Sequence, residues 1–127
     1  MIADDDKKRL SADPDGLLTY EYMANHIADL TPEDMEWLAG NMTEVDLSGQ
    51  FVVSAARYLF ATDPAQYRPI VDMLIAAGID KDRERRYIGD ILEAVYGKDY
   101  AVRADVLSQS DDNFRRIYKR LFRNDAI

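Results

Sequence analysis

The sequence contains no cysteine and only one histidine, His26, among its 127 residues. Without cysteine the chain can form no disulfide, no thiolate metal site and no cysteine nucleophile. A zinc site built on His26 would lack a second imidazole or thiolate ligand. We therefore expect neither a metal nor another cofactor.

Long hydrophobic runs are also missing. The longest apolar stretches, at 51–61 and 69–79, are interrupted by polar residues and span about eleven residues each, too few to cross a bilayer. The first ten residues carry acidic side chains where a signal peptide would have a basic region and an apolar run. These features predict a soluble protein without a membrane span, and a cytoplasmic location, which the absence of cysteine also suits.

The net charge of −8 is distributed unevenly along the chain. Residues 1–40 carry 3 basic and 10 acidic side chains, and residues 41–80 carry 2 and 5. Residues 81–127 carry 11 basic and 9 acidic side chains, so only this last segment has a positive net charge. An acidic body repels nucleic acid and anionic membranes at long range. A basic C-terminal segment could instead face the chain's own acidic half or a partner.

Helical periodicity predicts an all-α fold, a compact bundle of six or seven short helices. Proline follows a capping residue at Thr31–Pro32 and at Asp63–Pro64, the usual start of a helix. Alternating strand patterns with hairpin turns are absent. Residues 1–14 are predicted to be a mobile acidic leader, and residues 15–127 a single domain. The predicted helices cover 17–30, 31–42, 46–63, 63–78, 80–97, about 99–107, and 113–124.

A weak internal repeat suggests one alternative arrangement of these helices. Residues 58–74 laid on 91–107 place leucine on leucine, tyrosine on tyrosine and aspartate on aspartate at an offset of 33 residues. Such a period is typical of stacked helical hairpins, as in a short α-solenoid. Antiparallel helices of similar length produce the same period by chance, so an irregular bundle remains the favoured arrangement.

The strongest functional signal is the segment 113–124, which is rich in arginine. At about 100° per residue, its apolar side chains form one face and its basic side chains the opposite face. The helix could dock its apolar face on the core with its cations in solvent, or present the cations to a protein partner. It could also bind nucleic acid or a membrane surface, although the acidic body opposes both. The basic face comprises Arg115, Arg116, Lys119, Arg120 and Arg123.

Candidate catalytic and ligand-binding motifs are weak. Residues 11–22 resemble half of a calcium-binding loop, but Ser11 and Tyr22 occupy the positions that should supply the first ligand and the bidentate glutamate. A hydrolase using His26 and carboxylates is conceivable, but nothing selects a carboxylate pair, and a partly buried structural role is expected for His26. Phosphate-binding glycine loops and nucleophile elbows are absent, which disfavours an enzyme. Tyr96 and Tyr100 flank a glycine turn, where we expect them to be exposed as recognition residues.

Together these patterns favour a small acidic helical protein-interaction module, an adaptor or an inhibitor- or immunity-type binder without catalysis. The candidate partner-binding residues are the five cations of segment 113–124 together with Tyr96 and Tyr100. A nucleic-acid-binding protein using the basic segment 113–124 is the alternative.

Overall fold

A computed structural model describes residues 1–122 of the chain. Within this range the protein is all-α, as predicted, and contains no strand. Residues 1–122 form eight helices, one more than the largest number predicted. They are α1 (Asp4–Ser11), α2 (Leu17–Asn25), α3 (Pro32–Val45), α4 (Gln50–Thr62), α5 (Pro64–Lys81), α6 (Gly89–Tyr96), α7 (Ala104–Ser110) and α8 (Asp112–Phe122). None of the helices in residues 1–122 combines the length and the apolarity that crossing a membrane requires.

Two helices begin where the proline-containing signals predict. The hydroxyl of Thr31 accepts a hydrogen bond from the backbone N–H of Asp34 at 3.1 Å, and the Asp34 carboxylate accepts one from the N–H of Thr31. Asp63 accepts from the N–H of Gln66 at 3.1 Å, so α5 also begins with a side-chain cap. These bonds satisfy N–H groups that the first turn of a helix leaves without a partner.

The core is built around α4, which packs against α5 and α6. On α4 the side chains of Val52, Ala56 and Leu59 are fully buried, as its nearly uninterrupted apolar sequence predicts. Helix α8 packs against α5 and α6 and inserts Phe114 and Ile117, both fully buried, into the same core. The amphipathic segment 113–124 is therefore a core helix over its described part.

Residues 1–14, predicted to be a mobile leader, instead contain helix α1 and belong to the core. Ile2 and Leu10 are buried against the other helices. Asp34 accepts a hydrogen bond from the backbone N–H of Ile2 at 3.2 Å, and Asn41 donates one to the carbonyl of Leu10 at 2.9 Å. The six charged residues at 4–9 separate these two apolar residues, so the sequence gives no sign that both are buried.

One predicted helix is wrong at its start. The segment 80–97 was expected to be a single helix, but α5 continues to Lys81 and α6 begins only at Gly89. The intervening turn exists because the buried Asp82 carboxylate accepts the backbone N–H groups of Arg86, Tyr87 and Ile88. Backbone N–H groups that donate to a carboxylate are not available for helical hydrogen bonds, so the regular helix begins only after this turn.

Candidate interaction surface

Three turns of the structure are each organised by a buried aspartate, and the three aspartates have one hydrogen bond in common. Asp13, Asp46 and Asp82 are at most 4% exposed, and the last two are 36 residues apart while the first two are 33 apart. Each accepts the backbone N–H of the residue six positions later, at 2.8 to 3.0 Å. Each also accepts further N–H groups of its own turn, so the carboxylate is fully partnered and the turn is rigid.

Of the three aspartates, Asp46 accepts the most backbone hydrogen bonds. Its carboxylate accepts the backbone N–H groups of Ser48, Gly49, Phe51 and Val52 at 2.8 to 3.1 Å. Four charge-assisted hydrogen bonds offset the cost of burying one carboxylate.

The three turns pack against one another in chain order. A Cβ atom on Gly16 would lie 3.2 Å from the Cβ of Asp46, and one on Gly49 would lie 3.2 Å from the Cβ of Asp82. Both glycines also have positive φ, 109° and 92°. Glycine is therefore required for two reasons, the left-handed backbone and the close approach of the next turn.

The third turn differs at the equivalent position. Arg85, three residues after Asp82, has a φ of 60° and is the one residue other than glycine with positive φ in the described chain. No further aspartate turn packs against it within residues 1–122, so its side chain has room. It extends to α8, where its guanidinium donates to the carbonyl of Arg120 at 3.4 Å.

This turn and α8 together form a cluster of cations, which we call the basic surface. Arg116 pairs with Asp80 at 2.9 Å, and Arg120 donates to the carbonyl of Ile79, so both side chains lie against the C-terminal end of α5. Residues far apart in sequence thereby share one side of the molecule. The basic surface comprises Lys81, Arg83, Arg85, Arg86, Arg116 and Arg120.

Carboxylates balance only part of the basic surface. Asp80 pairs with Arg116, and Glu84 pairs with Arg86 at 2.7 Å. Within residues 1–122, Lys81, Arg83 and Arg85 have no carboxylate within ion-pair distance. Arg83 and Arg85 are exposed, so this region presents uncompensated positive charge on an acidic protein.

The predicted basic face of segment 113–124 is divided between two sides of α8. Arg116 and Arg120 lie against α5, whereas Arg115 and Lys119 line an open groove of about 480 Å³ between α7 and α8. Arg115 also pairs with Asp112 of its own helix. Arg123, the fifth predicted cation, lies outside the described residues.

The aromatic candidates belong to the interior. Tyr96 is only 7% exposed, and its ring lies 5.0 Å from that of Phe114 in an edge-on arrangement. Tyr100 is half-buried, with its ring 6.4 Å from Phe114. The expected exposure of Tyr96 is wrong, because α8 packs over the end of α6 and covers its ring. Burial, together with the negative charge of Asp111, raises the pKa of Tyr96 above its ordinary value.

The remaining candidate motifs hold no assembled chemical site. His26 is exposed at the end of α2, with its ring 4.2 Å from that of Tyr22. The half calcium loop is instead the first aspartate turn, with Asp13 satisfied by backbone N–H groups and by the Thr19 hydroxyl at 2.7 Å. Nowhere in the described part of the chain do three or more His, Asp or Glu side chains converge as metal ligands would.

The cations at 81–86 were missed by the sequence reasoning, which placed them inside a helix. A signal for them exists: the spacing Asp-x-x-Gly occurs at Asp13 and Asp46 and recurs at Asp82 with arginine in place of glycine. Aligning the three aspartates would have predicted a turn there, and a turn exposes its cations.

Comparisons of this chain with protein-family models, with curated proteins and with solved structures find no match.

Proposed function

We propose that this protein is an interaction module of the adaptor or inhibitor type, which binds an acidic segment of another protein through the basic surface. The observation that carries the proposal is the convergence of the α5–α6 turn and α8, which places six cations together on a chain of net charge −8. Such complementarity favours both a specific partner and a fast encounter with it.

The backbone of Arg85 supports this assignment independently. Left-handed φ costs a side-chain-bearing residue of the order of 1 kcal/mol or more, and such strain concentrates at functional sites. At the equivalent positions of the other two turns the chain has glycine. Retaining an exposed arginine in a strained conformation is consistent with a binding role for its guanidinium.

A protein partner is favoured over nucleic acid by the carboxylates on the same surface. Asp80 and Glu84 are exposed between the cations, with side chains 66% and 72% accessible. A continuous phosphate backbone laid across the surface would meet these negative charges and the acidic remainder of the protein. A short acidic segment covers less of the surface and can pair with its exposed arginines, Arg83, Arg85 and Arg86.

The stacked aspartate turns suggest how the surface is supported. We propose that the helices form a short helical repeat whose row of rigid turns holds the cations in place, an arrangement suited to binding extended segments. A cytoplasmic location is consistent with the absence of cysteine, because that compartment is reducing.

The proposal is tested with a fluorescently labelled peptide of alternating glutamate and serine. Its binding is measured by anisotropy for the unaltered protein and for the double variant Arg83→Glu/Arg86→Glu. Both arginines are exposed, so the fold should survive their reversal. The matched control is Lys8→Glu/Lys98→Glu, which makes the same change in net charge at exposed positions outside the basic surface.

We expect the arginine variant to lose at least tenfold in affinity for the peptide, roughly 1.4 kcal/mol, while the lysine control stays near the unaltered protein. Equal losses in the two variants would contradict the proposal, because net charge alone would then explain binding. A single-stranded DNA that binds more tightly than the peptide and responds to the same arginines would favour the nucleic-acid alternative.

A further inference from the structure

A shallow cavity of about 170 Å³ lies at the edge of the basic surface, between the second and third aspartate turns. Three cations, two carboxylates and one exposed leucine contribute to its walls. These residues are Lys81, Arg83 and Arg86, the carboxylates Asp82 and Glu84, and Leu47. This volume is below the roughly 300–1,000 Å³ typical of small-molecule pockets, so it suits a single side chain.

Leu47 is the unusual member of this wall. Its side chain is 81% exposed, although it follows the fully buried Asp46 directly. A single exposed leucine needs no explanation by itself. Here the leucine stands beside three cations, so an apolar contact and ionic contacts are available within one cavity.

Both walls of the cavity are held rigid by buried carboxylates. Asp46 bonds the backbone on the C-terminal side of Leu47, including the N–H groups of Ser48 and Gly49 at 3.1 and 2.9 Å. Asp82 accepts the N–H of Arg86 at 2.9 Å and holds the opposite wall. The backbone around Leu47 is therefore ordered before a partner arrives, which lowers the entropy cost of binding.

We propose that the cavity selects an apolar side chain adjacent to carboxylates in the partner's acidic segment. The apolar side chain packs against Leu47, and the neighbouring carboxylates pair with Lys81, Arg83 and Arg86, the last of which pairs with Glu84 in the free protein. This inference rests on the proposed function and adds a sequence requirement to it: acidic residues alone are not the preferred ligand.

Two labelled peptides test the requirement, one of alternating glutamate and serine, and one in which a central serine is replaced by phenylalanine. Their affinities are compared for the unaltered protein and for Leu47→Ser. The matched control is Val102→Ser, because Val102 is 88% exposed on the turn between α6 and α7, outside the cavity. Thermal unfolding of each variant confirms that the fold is retained.

We expect the phenylalanine peptide to bind about tenfold more tightly than the serine peptide, as partial burial of one apolar side chain allows. Leu47→Ser should abolish this preference, whereas Val102→Ser should preserve it. Equal binding of the two peptides that still depends on Arg83 and Arg86 would overturn this inference and leave the proposed function standing. Binding that is independent of those arginines would overturn both.

Discussion

At the scale of single residues, the structure depends on carboxylates that are buried but fully hydrogen-bonded. Asp46 is inaccessible to solvent and accepts four backbone N–H groups, so it ends one helix and begins the next. Removing such a side chain leaves several buried donors without a partner, and each unmade bond is costly.

Asp46→Ala is therefore expected to lower the free energy of unfolding by more than about 3 kcal/mol. Chemical denaturation measures the loss. Asp29→Ala is the control, because Asp29 is exposed and its change should stay within about 0.5 kcal/mol. A similarly small effect at Asp46 would show that the turn does not need its carboxylate.

For Arg85 we do not expect a loss of stability on substitution, because its backbone is strained in the folded protein. Arg85→Gly removes the strain of a side chain on a left-handed backbone, which stabilises the folded state. It also gives the unfolded chain more conformational freedom, which offsets part of that gain. We expect the free energy of unfolding to stay unchanged or to rise by up to about 1 kcal/mol, while binding of the acidic peptide weakens. Loss of stability with unchanged binding would instead make Arg85 a structural cap for α8.

The limits of prediction from sequence are clearest at these same residues. The caps at Thr31 and Asp63 could be predicted, because each combines a capping side chain with a following proline. The turn at Asp82 is harder to find, because it has arginine where the other two turns have glycine, and it emerges only when the three aspartates are aligned. Its carboxylate bonds N–H groups four to six residues later and not those two and three residues later, and this difference could not be predicted.

At the scale of elements, α8 connects the core to the basic surface. The helical angles of segment 113–124 correctly predict that Phe114 and Ile117 face inward. These angles do not predict that two of the cations lie against α5 and two beside α7, because that depends on which helices flank α8. Arg116 and Arg120 bind the C-terminal end of α5, where partial negative charge favours cations.

Reversing both charges, in Arg116→Glu/Arg120→Glu, should therefore destabilise the protein without any partner present. We expect the melting temperature to fall by several degrees, since the new carboxylates meet Asp80 and the carbonyl of Ile79. The fall should be smaller at high salt, where exposed charges are screened. If the double variant melts at the same temperature as the unaltered protein, at low and at high salt, the contacts of Arg116 and Arg120 with α5 do not stabilise the fold.

At the scale of the whole molecule, stability should depend on pH through carboxylates bonded in the folded state. Burial acts to raise the pKa of Asp13, but hydrogen bonds from Gly16, Thr19 and Asp15 outweigh it and lower the pKa below 3.8. The stabilisation is therefore present above the unfolded value and is lost as the pH falls through the folded pKa.

We expect the free energy of unfolding to decrease as the pH is lowered below about 4. Asp13→Asn, which has no titrating group at this position, should show a weaker decrease over the same range. Denaturant titrations at several pH values make the comparison. If the two proteins have the same slope, Asp13 does not contribute to the acid sensitivity.

The basic surface is the one proposed binding surface of an otherwise acidic molecule. Nuclear magnetic resonance tests this most directly, by following the backbone amide signals while the glutamate–serine peptide is added. We predict that the largest shifts fall on residues 81–86 and on residues 116 and 120, and that they diminish with added salt. Shifts confined to other helices, or spread evenly over the chain, would contradict the central claim.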